Sequence, residues 1–305
     1  MACPTYKKAI LLRLVNIHLI LNPKRSMYKL CSLLCFFVVT QAGAQYYYND
    51  ILGNQEAKDN FLLLKKNNIK KVTVTSTAPD GMPVEGLAIL QEINARKNQM
   101  TTSTHNELNP TSILLTQYLT NGLPASTTDS TEAAVSATIY TYSDDGVGNL
   151  LSITSKTHEP EQSAIKFMEQ RQYTFNGMKP SSMLRVKNGK DSLQVQFVNE
   201  EHGWIGEERW TEKGKATETY FYYYDVKGNL TDIARFNKKA NRLLPDYTFE
   251  YDATGRITIM NSFVNGTNQY RIWRYTYDGR GLKTKEVVFN NKAKESEGKV
   301  VYSYE

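Results

Sequence analysis

The stretch "YYYDVKGNLTDIARF", Tyr222–Phe236, decides how the rest of the chain is read. Tyr222 and Tyr224 stand one residue apart, so in a strand both rings share one face. Asp225 and Gly228 then supply a side chain that bonds its own turn and a residue free to take positive φ. Leu230, Ile233 and Phe236 resume an apolar strand beyond. The stretch is a β-hairpin.

Aligned on its second aromatic, the tile returns at Phe197, Tyr224, Tyr251, Tyr277 and Tyr304, at spacings of 27, 27, 26 and 27 residues. An earlier copy, "YTYSDDGVGNLLSI", starts at Tyr140 and carries extra turn residues, and "YTFNGMKPSSML" from Tyr173 is a degenerate one. A fixed period of this length marks a repeat architecture. The expected fold is all-β with an N-terminal helix, an extended antiparallel meander of hairpins, flat or curved into an open half-barrel.

Ahead of the tiles, Asp50 to about Lys66 reads as the helix, capped by Asn49 or Asp50. "KKVTVTST", Lys70–Thr77, alternates strictly, and Gly86–Ile93 begins a further strand. The Ser/Thr-rich run at 124–134 reads as a loop. The chain thus divides into a leader (1–44), the helix with the first hairpins (45–123), that loop, and the tiles (135–305). Two sheet edges, Lys70–Thr77 and Val300–Tyr304, are left open to β-augmentation.

From Met27 the leader reads "MYKLCSLLCFFVVTQAGAQ": a lysine, a short apolar run and an A-x-A signal, with cleavage expected between Ala44 and Gln45. That makes the chain an exported one, periplasmic or secreted, with no retained transmembrane helix expected. Residues 1–26 are either an extension ahead of the true start or a long basic leader. All three cysteines, Cys3, Cys31 and Cys35, fall in the leader, which excludes disulfides and thiolate metal sites from the remainder. The net charge of +6 also comes from the leader, leaving the remainder near neutrality and giving no case for nucleic acid.

The tiles "FEYDATGRITIM", "YYYDVKGNLTDI" and "YTYDGRG" resemble the YD repeats of bacterial RHS and teneurin-type proteins, centred on Y-x-Y-D-x-x-G-R/N-L. The resemblance implies structural roles for Tyr140, Tyr142, Tyr222, Tyr224, Asp225, Gly228, Tyr251, Asp252, Gly255, Tyr275, Tyr277, Asp278 and Gly281. The tyrosine face is either core or a binding surface. RHS proteins wind many such units into a shell around a toxin, whereas this chain carries a handful and no toxin domain. The start "QYYYNDILGNQEAKDNFLLLKKNNIKKVTVTS" followed by YD tiles is also similar to small exported proteins of the Bacteroidetes, which implies an envelope location.

No enzymatic constellation emerges. His105, His158 and His202 lie far apart, and an Asp opening each tile is what turn geometry selects, ahead of a calcium site or catalysis. No cofactor or metal is expected. The sequence therefore points to a non-enzymatic exported binding or interaction module of the cell envelope, its partner an envelope protein, a glycan or a lipid. A periplasmic carrier holding an apolar ligand on a concave aromatic face is the alternative, with a carbohydrate-active enzyme third.

Overall fold

The computed structural model describes residues 46–305 apart from 85, 86, 107, 108, 163, 265, 266, 268 and 292–295. The leader and the Ala44–Gln45 junction lie outside the described residues. Among the described residues one helix, α1 (Tyr48–Lys66), precedes eighteen strands. These are β1 (Lys71–Thr77), β2 (Ala88–Asn94), β3 (Gln99–Asn106), β4 (Asn109–Tyr118), β5 (Pro124–Ser130) and β6 (Val135–Tyr142). Next come β7 (Leu150–His158), β8 (Phe167–Asn176), β9 (Lys179–Lys187), β10 (Asp191–Asn199), β11 (Ile205–Glu212) and β12 (Lys215–Tyr224). The last six are β13 (Leu230–Asn237), β14 (Arg242–Tyr251), β15 (Ile257–Phe263), β16 (Tyr270–Tyr277), β17 (Lys283–Asn290) and β18 (Ser296–Tyr304).

Each strand pairs antiparallel with its neighbours in sequence, and β1 pairs with β18, Val72 opposite Tyr304 and Ser76 opposite Val300. The expected open half-barrel is therefore a closed barrel. The two presumed edges are each other's partners, and the backbone groups once left for β-augmentation are consumed by closure. The loop expected at 124–134 is also corrected, because Pro124–Ser130 is β5, paired on both sides. Proline is tolerated there as the first residue of a strand.

The two rims differ. The tile rim carries the Asp-led turns, the Lys71 end of β1 and the Tyr304 end of β18. The far rim carries tight turns such as Asn188–Gly189 and Lys213–Gly214, where both central residues have positive φ, as two-residue hairpins require.

Eighteen strands enclose a lumen wider than wall side chains alone can fill. Helix α1 lies in that space, since its residues meet the wall on separate sides. Asp50 reaches β8, Asn54 reaches β6, the Phe61 ring stacks on Tyr118 of β4 at 3.9 Å, and Lys65 donates to Asn98 beyond β2. Leu62 and Leu63 face the turns after β4 and β16. A side chain added at Gly122 (φ +87°) would start 2.8 Å from Leu62 Cγ, so the turn closes on the helix only as glycine. Surrounded this way, the helix needs no single apolar stripe. It ends with Asn68 at φ +56° and the Ile69 N–H donating to Leu64 O, a left-handed C-terminal stop.

Register separates the two faces of the wall. Tyr220, Tyr222, Ile233, Val195 and Phe197 point inward and are buried, whereas the outward positions of β10 and β11 include Gln194, Gln196, Glu207 and Arg209. Thr73, Thr75, Thr101, Ser103, Thr128, Thr154 and Gln172 continue that polar outer surface around β1 to β8. A bilayer-spanning barrel carries the reverse arrangement, an outward apolar band and a polar interior. On this part of the wall the exposed apolar side chains Ile113 on β4 and Ile139 on β6 stand opposite serines and threonines, so no continuous apolar band forms here. Among the described residues no helix is long and apolar enough to cross a membrane.

Candidate functional site

The repeated carboxylates come first, because their spacing raised the possibility of calcium or catalysis. Asp225 Oδ1 accepts the N–H groups of Lys227 and Asn229, both at 2.9 Å, while its backbone brackets the turn with Asn229 O and Gly228 N. Asp252 repeats this with Thr254 and Arg256, and Asp278 with Arg280 and Leu282. Gly228, Gly255 and Gly281 follow at φ +85°, +82° and +86°. Hydrogen bonds hold the carboxyl pKa values low: from Asn229 for Asp225, and from the Thr254 hydroxyl and Arg256 for Asp252. At Asp278 desolvation opposes the shift and the Arg280 contacts outweigh it. Each carboxylate is occupied within its own turn, which leaves none of the three poised for proton transfer.

The tile tyrosines do a second job. Tyr224 donates its hydroxyl to Ile205 O at 2.9 Å, Tyr251 to Leu230 O at 2.7 Å, Tyr277 to Ile257 O at 2.8 Å, and Tyr304 to Lys283 O. Each acceptor is the first residue of the preceding strand, so each of these four tiles is pinned to the start of the strand before it, while the tile at Phe197 has no hydroxyl to do so. Tyr142 follows the rule from the irregular upstream copy, donating to Pro124 O at 2.8 Å. Tyr140 and Tyr275 are half-buried on the same inward face, with Lys283 lying 4.6 Å from the Tyr275 ring centre.

The histidines stay apart: His105 bonds Thr111 on the outer wall, His158 meets Glu159 O, and His202 stacks on Trp204. Among the described residues no group of His, Cys, Asp and Glu is arranged to hold a metal ion.

The chemistry that does converge lies in the lumen, around the start of α1. Glu208 on β11 is fully buried and accepts four hydrogen bonds: Oε1 from Tyr47 N (2.7 Å) and Trp210 Nε1 (2.6 Å), Oε2 from Tyr48 N (2.9 Å) and Tyr222 OH (2.7 Å). Burial raises its carboxyl pKa and these donors counteract the shift. A wall carboxylate thus occupies the positive end of the helix, the place where an anion is favoured. The cap expected from Asn49 or Asp50 is not used; the N-cap position is Tyr47, which makes no side-chain cap bond. Asp50 turns instead to the wall and holds Arg171 and the Tyr173 hydroxyl. Arg171 also binds Glu169, which pairs with Lys187 at 3.3 Å. Burial opposes the charge on Arg171, and Asp50 and Glu169 overcome it, so its pKa stands above the usual guanidinium value.

Three successive tyrosines complete the junction. The Tyr46 ring lies 6.0 Å from Tyr220 and Tyr222 and 6.1 Å from Tyr247; Tyr47 packs on Trp210 at 5.1 Å and Tyr48 on Tyr222 at 5.2 Å. Further along α1, Glu56 is exposed, yet surrounding protein raises its pKa by desolvation, with Lys283 lowering it and Glu286 raising it.

Sequence reasoning missed Glu208, Asp50 as a wall contact, and the Glu169–Arg171 pair. The available signal was alternation: Glu169, Arg171 and Tyr173 share one face of β8, and Glu208 lies on the face of the tyrosines opposite it. Charges at inward positions of a wide barrel imply an occupant that pairs with them.

No family model matches the chain, and no curated protein matches it in sequence. Solved structures similar to it include a porin-like protein from Bacteroides uniformis, at 12% identity and a TM-score of 0.42, over 78% of this chain and 96% of that one. Another is the Tc holotoxin pore of Photorhabdus luminescens, at 12% identity and a TM-score of 0.28 over 79% of this chain. A third is the TcdB2–TccC3 complex, at 13% identity and 0.29 over 80%. This chain spans 17% of the length of either of these two toxin chains.

Proposed function

We propose that this chain is a non-enzymatic, exported interaction module of the cell envelope that works through its outer wall. The observation that carries this reading is the occupied lumen: the aromatic inner face on which a carrier would hold its ligand already holds Tyr46, Tyr47 and Tyr48 of the chain itself. The turn carboxylates, each committed to its own turn, support a structural role over a catalytic one. The leader supports export, and the polar wall supports a barrel that stands in an aqueous compartment.

Cross-linking in intact cells, with mass spectrometry of the attached species and of the protein's own N-terminus, tests the proposal. One recurring envelope component bound to a chain that begins at Gln45 is the expected result. A tightly bound apolar molecule in the native mass spectrum, with no partner cross-linked, would overturn it in favour of the carrier.

A further inference from the structure

The outer wall changes character between β12 and β17, toward the far rim. Phe236 on β13 stands opposite Leu243 on β14, and they are 51% and 39% exposed. Beside them Phe221, Ala234 and Pro245 form a row across three strands. Phe263 and Tyr270 pack with ring centres 5.2 Å apart, and Val264 just beyond is 53% exposed. Elsewhere on the wall exposed apolar residues such as Ile113 and Ile139 stand among serines and threonines, whereas here they adjoin one another.

Cations border it. The turn after β11 presents Lys213 and Lys215, and the turn after β13 presents Lys238, Lys239 and Arg242, all exposed. None of the five joins an ion pair among the described residues. A two-fold contact centred on Phe236 and Leu243 would bring the cationic borders of two copies into one interface, and that like-charge repulsion argues against self-association as the use of the belt. Unpaired cations beside exposed aromatic and aliphatic side chains suit an anionic lipid surface, where the charges meet phosphates and the apolar groups enter the boundary of the acyl chains.

We infer that this sector docks the barrel on an anionic phospholipid surface, with Lys213, Lys215, Lys238, Lys239 and Arg242 at the headgroups and Phe236 and Leu243 inserted beside them. The inference deepens the envelope reading and rests on it.

Vesicle co-sedimentation of the purified protein tests it, comparing phosphatidylcholine alone with phosphatidylcholine containing phosphatidylglycerol. Binding is expected only to the anionic vesicles and is expected to be released by salt. Each basic residue near such a surface contributes about fivefold in affinity, so K238E/K239E should weaken binding by at least about 25-fold. F236S/L243S should also weaken it, and both pairs are exposed, so unchanged melting will show that the fold is intact. Equal binding to both vesicle types, no binding to either, or anionic binding indifferent to both variants overturns the inference. A concentration-dependent dimer abolished by F236S/L243S, without vesicle binding, overturns it in favour of a second copy. Vesicle binding that fails while an envelope partner still cross-links sinks this inference alone; the converse result sinks the partner reading.

Discussion

Asp50 of the helix and Arg171 of β8 clasp one another inside the barrel, Nη1 lying 2.7 and 2.8 Å from the two carboxylate oxygens. Both side chains are about nine-tenths buried. Removing one partner of such a pair strands the other charge away from water. Arg171→Met is therefore expected to cost about 3–5 kcal/mol, measured by urea unfolding, because it strands Asp50 and Glu169 together. An unchanged midpoint would mean that the helix is not seated as described.

Glu208 offers a second test of the same junction. Glu208→Gln keeps the shape but, with its amide N–H₂ in the place of Oε2, faces the Tyr48 N–H donor to donor while the Tyr222 hydroxyl turns to accept; one bond is forfeited and the others lose their charge assistance. A loss of about 3 kcal/mol is expected, with equilibrium unfolding as the measurement. Full retention of stability would show that the carboxylate does not hold the helix N-terminus.

The tyrosine pins can be removed one at a time. Tyr251→Phe leaves Leu230 O without its side-chain donor and keeps the ring, so it should cost about 0.5–1.5 kcal/mol. The same pin sets an alkaline limit. Burial pushes the Tyr251 and Tyr277 hydroxyls up to about 12, above the unfolded value of 10.0. A raised folded pKa means that their contribution is whole below pH 10 and is lost as pH climbs through 12. Stability and tyrosinate absorbance followed together across that window will show whether ionisation and unfolding coincide.

The turn aspartates act at the other end of the scale. Their folded pKa values are lowered, so the stability they contribute is present above the unfolded value of 3.8 and is lost as pH falls through the lower folded values. Glu208, whose pKa is raised, has the opposite sign: its contribution is full below 4.5 and lost as pH rises. A D225N/D252N/D278N variant keeps side-chain acceptors for the turns but cannot titrate, so its acid unfolding limb should be flatter than that of the parent. Identical acid limbs would remove the turns from the explanation.

Closure is testable by chemistry. Thr75 and Val301 face each other across β1 and β18, and cysteines are absent from the described residues. Cysteines placed at both positions should be joined within one chain by a short bifunctional thiol reagent, since opposed Cα atoms lie about 5.5 Å apart or closer. Cross-linking only between chains would indicate an open sheet.

The hairpins were legible because their information is local: an Asp that caps, a glycine with positive φ and alternation on either side. Closure was not, because the β1–β18 pairing joins residues more than two hundred positions apart, and nothing in "KKVTVTST" names its partner. The error at β5 has a physical source too. Ser, Thr and Asp ordinarily mark loops, but Ser112 on the neighbouring strand bonds Asp129 at 2.7 Å, and the ladder on both sides satisfies the backbone. The helix began two residues earlier than expected, its first N–H groups being capped from Glu208, 160 residues away. Local capping rules cannot see a donor set that is met from across the fold.

Pairing the first strand with the last also fixes an order of events. Every other strand finds its partner across a connection of ten residues or fewer, so hairpins can form in succession as chain becomes available. The seam between Lys71 and Glu305 must wait until β18 has been made, because its two halves lie at opposite ends of the row of hairpins. Until then two unpaired strand margins coexist, each able to join the wrong chain. The slowest and most hazardous moment in this protein's life is thus expected at the final stitch, and a chain cut short by even one hairpin would carry that hazard permanently.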